Sequence, residues 1–216
     1  MRIGVLGTGT VGHAVGTRLV DLGHEVRMGS RTAANPAAVA WAQKAGSSAS
    51  FGTFRDAAEF GEVLVNCTVG AHSVEVLTAA GVEHTAGKLL IDISNPIDLG
   101  ELPSFALLVC NTDSLGERIQ LMFPAVRVVK ALNTINADVM VQPELLPGDH
   151  VVFICGNDPA AKVQTVELLG EFGWPAERVV DLGDISAARA TEMYLTLWVR
   201  LYGVLGTAHF NVAISR

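Results

Sequence analysis

The chain has 216 residues, of which 50% are hydrophobic, and a formal net charge of −7. This length and apolar content suffice for one domain with its own core, and the acidic balance excludes a broad basic surface for nucleic acid. The three cysteines fit neither a zinc pattern nor a disulfide framework. No uncharged apolar window reaches the roughly 18 residues of a membrane span, and no signal peptide is recognisable. We therefore expect a cytoplasmic protein that binds neither nucleic acid nor a membrane.

Short β-branched runs alternate along the chain with longer amphipathic or alanine-rich segments. The runs predict strands at 2–6, 25–29, 62–67, 89–93, 126–131, 150–155 and 178–182. They are continuously apolar, which is typical of strands covered on both faces and favours an α/β fold with a doubly wound, mostly parallel sheet. Helices are predicted from the first strand to a left-handed cap at Gly23, and from Asn157 or Asp158 to Gly173.

The opening stretch, IGVLGTGTVG, places three glycines directly behind the first predicted strand. In such a motif Gly7 allows a tight turn, Gly9 lets the backbone approach a pyrophosphate, and Gly12 lets the next helix pack closely on the sheet. The start of that helix presents unpaired N–H groups and the positive end of its dipole to an anion. The G-x-G-x-x-G spacing between a strand and a helix therefore predicts a Rossmann dinucleotide-binding fold.

The end of the second strand indicates which dinucleotide binds. A carboxylate there would accept both ribose hydroxyl protons of NAD, whereas this chain has the residues Gly29-Ser30-Arg31-Thr32. Ser30 and Thr32 can donate to a 2′-phosphate, and Arg31 can pair with it. Such a charge-assisted contact contributes about 1.5–3 kcal/mol, which corresponds to a preference of about ten- to a hundredfold. We therefore predict NADP(H) as the cofactor.

The segments that follow the strands at the ligand-binding edge of the sheet hold few ionisable groups. They read CTVGAHS at 67–73, SNPID at 94–98, ALNTINAD at 131–138 and CGND at 155–158. His72 is the candidate acid, and a solvated histidine at a helix start is the alternative. Asp92 and Lys130 lie within strands, where they are predicted to form a structural pair or to be charges at the strand ends rather than catalytic groups. No metal site is predicted, and the chemistry implied needs little proton transfer.

Five stretches together resemble the coenzyme F420-dependent NADP reductase family over nearly the whole chain. They are IGVLGTGTVG, LGHEVRMGSRT, VVKALNTINADVM, VFICGNDPAAK and LGDISAARATEMYLTLWVRLYG. The resemblance implies a homodimer that exchanges a hydride between NADPH and a small-molecule acceptor, the deazaflavin coenzyme F420. The chain departs from the archaeal pattern of the family at Asn133 and Asn136, in the acceptor pocket. A reductase of another acceptor and a non-catalytic NADPH sensor are therefore the alternatives.

The resemblance also implies a set of site residues. The pyrophosphate would be held by Gly7, Thr8, Gly9, Thr10, Val11 and Gly12, and the 2′-phosphate by Ser30 and Arg31. The ribose and nicotinamide would be lined by Thr68 and Val69, and the carboxamide and the acceptor ring would be positioned by Asn133 and Ala137.

A C-terminal helical segment at 183–216 is predicted to follow the nucleotide-binding domain at 1–182, with Ser186 as its N-cap. Its broader apolar stripe comprises Ala190, Met193, Tyr194, Leu197, Trp198, Leu201, Val204 and Leu205, and its second stripe comprises Leu195, Val199 and Tyr202. A helix that is apolar on two sides needs two covers, which favours a homodimer. Burial within one subunit is the alternative. We expect the segment to help wall the acceptor site.

Overall fold

The structure, a computed structural model, describes residues 1–98 and 105–215. Its strands are β1 (Arg2–Leu6), β2 (Glu25–Ser30), β3 (Ala49–Thr53), β4 (Val63–Asn66), β5 (Leu89–Asp92), β6 (Arg127–Ala131), β7 (Val152–Gly156) and β8 (Val179–Asp181). Its helices are α1 (Thr10–Asp21), α2 (Pro36–Ala45), α3 (Phe54–Phe60), α4 (Ser73–Ala80), α5 (Val82–Thr85), α6 (Leu115–Met122), α7 (Ala137–Val141), α8 (Pro159–Phe172) and α9 (Ala188–Leu205). Short 3-10 helices span Gly70–His72, Pro143–Leu145, Ala176–Arg178 and Ile185–Ala187.

The described strands form one sheet in the order β3-β2-β1-β4-β5-β6-β7-β8. Neighbouring strands are parallel, apart from β6 and β7, which are antiparallel. The order runs outward in both directions from β1 and β4, so a crevice opens at the carboxyl ends of these two strands. The predicted doubly wound, mostly parallel sheet is confirmed.

Helices cover both faces of the sheet, because alternate strand residues point to opposite sides. Ile3 and Val5 pack in a core with residues of α1, α2, α7 and α8. Leu64 and Leu90 pack in a second core with residues of α3, α4 and α6. This double cover is the physical reason why the strand sequences are continuously apolar rather than alternating.

All seven predicted strands are present, with ends that differ by at most two residues. The structure adds β3, which the sequence pattern does not indicate. Its residues, ASFGT, form no apolar run, because β3 lies at the edge of the sheet and Phe51 is 39% exposed. A strand that is half exposed carries less of the signal by which buried strands are recognised.

The helix caps agree with the prediction for α8 and differ for α9. The Asp158 carboxylate accepts from the Ala161 N–H at 2.8 Å, and Gly173 ends α8 in the left-handed conformation. The predicted N-cap Ser186 is wrong: the Asp184 carboxylate accepts from the Ser186 N–H at 2.9 Å and from the Ser186 hydroxyl. The serine hydroxyl therefore donates where a cap must accept, and α9 begins after one 3-10 turn.

The C-terminal helix α9 is buried only near its beginning, at Ala188, Thr191 and Glu192. Farther along, Leu197 is 53% exposed and Val204 is 83% exposed. The subunit therefore leaves an apolar face of α9 uncovered and does not bury the helix within itself. No helix in residues 1–98 and 105–215 combines the length and the apolar content needed to span a bilayer.

Candidate functional site

A cleft at the carboxyl ends of the central strands consists of two adjoining cavities. One, of about 570 Å³, contains Arg31 and is called the arginine cavity. The other, of about 380 Å³, contains Asn133 and is called the asparagine cavity. Gly9, Thr68 and Val69 line both cavities, so the two are continuous.

The structure brings the predicted site residues together in this cleft. The arginine cavity adds Gly7, Thr8, Ser30, Arg31 and Thr32 to the shared residues, and the asparagine cavity adds Thr10, Val11, Asn133 and Ala137. Gly12 does not line the cleft, because it lies against the Gly7 carbonyl. A Cβ on Gly12 would lie 2.2 Å from that oxygen, so Gly12 serves the packing of α1.

The glycine loop is shaped by its backbone. Gly7 has φ of +121°, which favours glycine, and turns the chain from β1 toward α1. Gly9, the residue before α1, has φ of −85° and no atom within 4 Å of its Cβ position. The space beside Gly9 is therefore open to the cleft. The N–H groups of the first helical turn and the helix dipole make this position favourable for an anion.

The residues that follow β2 differ in exposure. Ser30 is buried, and its hydroxyl donates to the Thr32 carbonyl at 2.6 Å, which holds the turn. Arg31 and Thr32 are exposed on the arginine cavity. Within the described residues the Arg31 guanidinium forms no ion pair. Its charge is therefore available to a ligand, whereas the Ser30 hydroxyl is engaged by the turn.

The asparagine cavity is held by a reciprocal pair of amides. The Asn95 side-chain N–H donates to the Asn133 backbone carbonyl at 2.7 Å, and the Asn133 side-chain N–H donates to the Asn95 side-chain oxygen at 3.0 Å. Asn136 caps α7 by accepting from the Asp138 N–H at 2.9 Å, which brings Ala137 to the cavity wall. Leu195 and Trp198 of α9 complete the wall.

The asparagine cavity holds little acid–base chemistry. Among the described residues that line it, Cys67 is the only one with a titratable side chain. Desolvation, with a smaller contribution from the Asp92 carboxylate, raises the pKa of the Cys67 thiol far above its ordinary value, so the thiol stays protonated. His72 lies instead on the arginine cavity, half exposed and 3.6 Å from a Glu75 carboxylate oxygen. In the described part of the chain, no three ligating side chains are grouped to hold a metal.

The sequence and the fold were compared with those of known proteins. Residues 2–96 match the family described as NADP oxidoreductase, coenzyme F420-dependent. A crystal structure of a candidate F420-dependent NADP reductase from Arthrobacter sp. FB24 superposes with a TM-score of 0.93 and 48% identity, over 99% of each chain. The chain belongs to this family of NADP oxidoreductases. Members of this family are oxidoreductases, so the chain is classed as an enzyme of this kind. Its fold is of the Rossmann nucleotide-binding type.

The oxidoreductase is also similar to animal metalloreductases. It is 30% identical to metalloreductase STEAP3 of Rattus norvegicus over 191 residues, which are 88% of this chain and 36% of the relative. It is 28% identical to metalloreductase STEAP2 of Homo sapiens over 219 residues, which are 91% of this chain and 37% of the relative. The chain spans little more than a third of the length of these relatives.

Sequence reasoning missed several lining residues of the oxidoreductase. In the arginine cavity these are Asn35, Phe54, Glu75, Val76 and Ala79. Their contribution depends on how α2, α3 and α4 pack, and no local motif marks them. The predicted pair of Asp92 and Lys130 is confirmed, with 2.6 Å between carboxylate oxygen and ammonium nitrogen. Glu192 also pairs with Lys130, at 2.8 Å, and was not predicted, because it lies on α9, far along the chain.

Proposed function

We propose that the oxidoreductase transfers a hydride directly between NADPH and the deazaflavin coenzyme F420. The observation that carries this proposal is the asparagine cavity, whose described walls contain amides, hydroxyls and apolar groups but no acidic, basic or histidine side chain. Direct hydride transfer between two rings requires that the donor and acceptor carbons be held close together, and it does not require a side chain that acts as an acid or a base. The family match and the close structural relative support the choice of coenzyme F420.

The described residues fit the parts of NADPH in order along the cleft. The open space beside Gly9 and the start of α1 suit the pyrophosphate, while Arg31 and Thr32 suit the 2′-phosphate. Thr68 and Val69, where the cavities join, would line the ribose and the nicotinamide. Asn133 and Ala137 would then face the carboxamide and the acceptor ring. Ser30 would act by holding the turn that presents Arg31.

The bound cofactor supplies the hydride, so the protein contributes orientation. The amide pair of Asn95 and Asn133 is fixed by two hydrogen bonds, and Asn133 is 4% exposed. A fixed wall of this kind can hold the donor and acceptor carbons about 3–3.5 Å apart, the distance that transfer requires. Because the cavity offers no charged side chain, the proton that accompanies reduction of the acceptor is exchanged with water.

The segment 183–216 is proposed to form the interface of a homodimer and part of the acceptor wall; residue 216 lies outside the described residues. Leu195 and Trp198 line the asparagine cavity, whereas Leu197 and Val204 are exposed. One helix thus presents side chains both to the cleft and to solvent. Light scattering at assay concentration is expected to give twice the subunit mass, and a monomer would contradict this interface.

An acceptor panel tests the proposed function. The purified protein is mixed with NADPH or NADH and with coenzyme F420, a flavin, a quinone or a ferric chelate, and nucleotide oxidation is followed by absorbance. We expect NADPH oxidation to be fastest with F420, and NADH to be at least about tenfold poorer, as the Arg31 contact requires. If NADPH is oxidised faster with a ferric chelate than with F420, the acceptor is ferric iron, as the names of the metalloreductase relatives suggest, and not F420. NADPH binding without oxidation by any acceptor would contradict an active reductase.

Asn133→Ala is expected to slow F420 reduction by about tenfold, or about 1.4 kcal/mol in the barrier. The reason is that the amide positions the rings and does not transfer a proton, so its loss misplaces them without removing a chemical step. Single-turnover kinetics with saturating NADPH measures this change. An inactive variant that binds NADPH as tightly as the wild type would contradict the positioning role and indicate a catalytic group.

A further inference from the structure

Three charged side chains meet beneath the asparagine cavity, and each is almost completely buried. The Lys130 ammonium nitrogen lies 2.6 Å from an Asp92 carboxylate oxygen and 2.8 Å from a Glu192 carboxylate oxygen. Glu192 also accepts from the N–H groups of Leu115 at 2.8 Å and Gly116 at 3.0 Å, at the start of α6. This group, called the ion triad, therefore ties α9 to the sheet and to α6.

The charges of the ion triad are not explained by stability alone. Burial would lower the pKa of Lys130, but the Asp92 and Glu192 carboxylates outweigh it and hold that pKa above its ordinary value. Lys130 is therefore charged. Moving three such groups out of water is costly, and apolar replacements of buried triads are often neutral or stabilising. The role of the ion triad is therefore to be sought in the residues to which it is hydrogen-bonded rather than in its net contribution to stability.

One hydrogen-bond path leads from the ion triad to Thr68. The other oxygen of the Asp92 carboxylate accepts from the Asn66 side-chain N–H at 2.8 Å. The Asn66 side-chain oxygen then accepts from the Thr68 hydroxyl at 2.7 Å. An amide has one donor end and one acceptor end, so the N–H₂ group that faces Asp92 leaves the Asn66 oxygen toward Thr68, whose backbone N–H also donates to it at 3.3 Å. The Asp92 carboxylate therefore contributes to the direction of the Thr68 hydroxyl, which lies on the shared wall of both cavities and is also 3.0 Å from the Ser73 hydroxyl.

A second path leads from the same ammonium to Asn133. Lys130 donates to the Ser94 carbonyl at 2.8 Å, which fixes the backbone immediately before Asn95. The Asn95 side chain in turn holds Asn133 through the two amide hydrogen bonds described above. Both paths therefore end on polar residues that line the asparagine cavity. The described hydrogen bonds of the ion triad include none to Arg31 or to the glycine loop.

We propose that Asp92, Lys130 and Glu192 are positioning residues that orient Thr68 and Asn133, and through them the nicotinamide half of NADPH, so that the placement of this ring depends on the contact of Glu192 in α9 with Lys130. The proposal rests on the proposed function for the assignment of the nicotinamide to this cavity. The adenosine half, held by Arg31 and the glycine loop, is independent of the ion triad.

Glu192→Gln tests the proposal, because glutamine keeps the shape but places an N–H₂ group where Lys130 or the N–H groups of α6 need an acceptor. Calorimetry compares NADPH with 2′-phospho-ADP-ribose, which lacks only the nicotinamide. We expect the variant to bind NADPH about tenfold more weakly and 2′-phospho-ADP-ribose within about twofold of the wild type. The fluorescence of bound NADPH should also shift toward that of NADPH in water. A general loosening of the fold would lower the affinities for NADPH and for 2′-phospho-ADP-ribose to the same extent.

A second variant and a matched control complete the experiment. Asn66→Ala cuts the path to Thr68 while Asp92 keeps its hydrogen bonds from Ser94, and it should show the same selective loss. Glu117→Gln is the control, because Glu117 of α6 pairs with Arg189 of α9 but is not joined to the cleft by any hydrogen-bond path among the described residues. It should bind both ligands as the wild type does.

Two outcomes would overturn the proposal: Asn66→Ala binding NADPH as tightly as the wild type, or the variants losing affinity for both ligands equally. If Glu192→Gln does not fold, Asn66→Ala alone decides. Failure of the proposed function has a different signature. If the wild-type protein does not reduce F420 but the variants still lose affinity for NADPH selectively, F420 is not the acceptor. The positioning role of Asp92, Lys130 and Glu192 then still holds.

Discussion

Gly9→Ala is expected to weaken NADPH binding by about a hundredfold, or about 2.7 kcal/mol, without lowering the thermal unfolding midpoint. The backbone of Gly9, with φ of −85° and ψ of −173°, is one that alanine adopts freely. No protein atom lies within 4 Å of the new methyl group. The methyl would instead occupy the space where the pyrophosphate must approach the loop. Calorimetry with NADPH and a thermal melt of each protein measure the two effects.

Two other glycines give matched controls for this substitution. Gly170→Ala, in α8, also meets no atom within 4 Å, and it should stabilise the helix by about 0.5–1 kcal/mol while NADPH binding stays unchanged. Gly12→Ala would place its Cβ 2.2 Å from the Gly7 carbonyl oxygen and should lower the unfolding midpoint. If Gly9→Ala binds NADPH normally, the pyrophosphate does not lie on the glycine loop.

Arg31→Ala is expected to weaken NADPH binding by about ten- to a hundredfold and to leave NADH binding unchanged. Arg31 is exposed on the arginine cavity and forms no ion pair among the described residues, so its charge is free for the 2′-phosphate. NADH lacks that phosphate and therefore loses nothing. Calorimetry at constant ionic strength, with both nucleotides, measures the change in preference.

Arg55→Ala is the matched control for Arg31→Ala. It removes the same charge from the surface, but Arg55 lies on α3, where it pairs with Glu83 at 3.7 Å, and does not line the cleft. Its nucleotide affinities should equal those of the wild type. An equal loss of NADPH and NADH affinity in Arg31→Ala would mean that Arg31 contacts a part common to both nucleotides, and the predicted NADP preference would then be wrong.

Local patterns were enough to predict most of the sheet. A strand covered on both faces is rich in apolar residues, and all seven predicted runs are strands in the structure. β3 escaped prediction because its residues, ASFGT, form no apolar run, whereas β8 at the opposite edge of the sheet keeps a short one. The Ser186 cap failed for another reason. Asp184 and Ser186 are both capping residues, and the hydrogen bonds between them decide which one accepts.

The amino-acid sequence by itself predicted the residues that we propose for the nucleotide half of the site. The turn at Gly7, the open position at Gly9 and the Arg31 charge each depend on the chemistry of a short segment, and the sheet brings the segments together in any such fold. Only the tertiary structure decided which side chains of α9 complete the other half, for which the resemblance had implied Asn133 and Ala137. It placed Glu192 of α9 against Lys130 of β6, and Leu195 and Trp198 on the cavity that Asn133 also lines, because these positions depend on how α9 seats on the sheet. Such long-range packing leaves no periodic trace in the residues that make it.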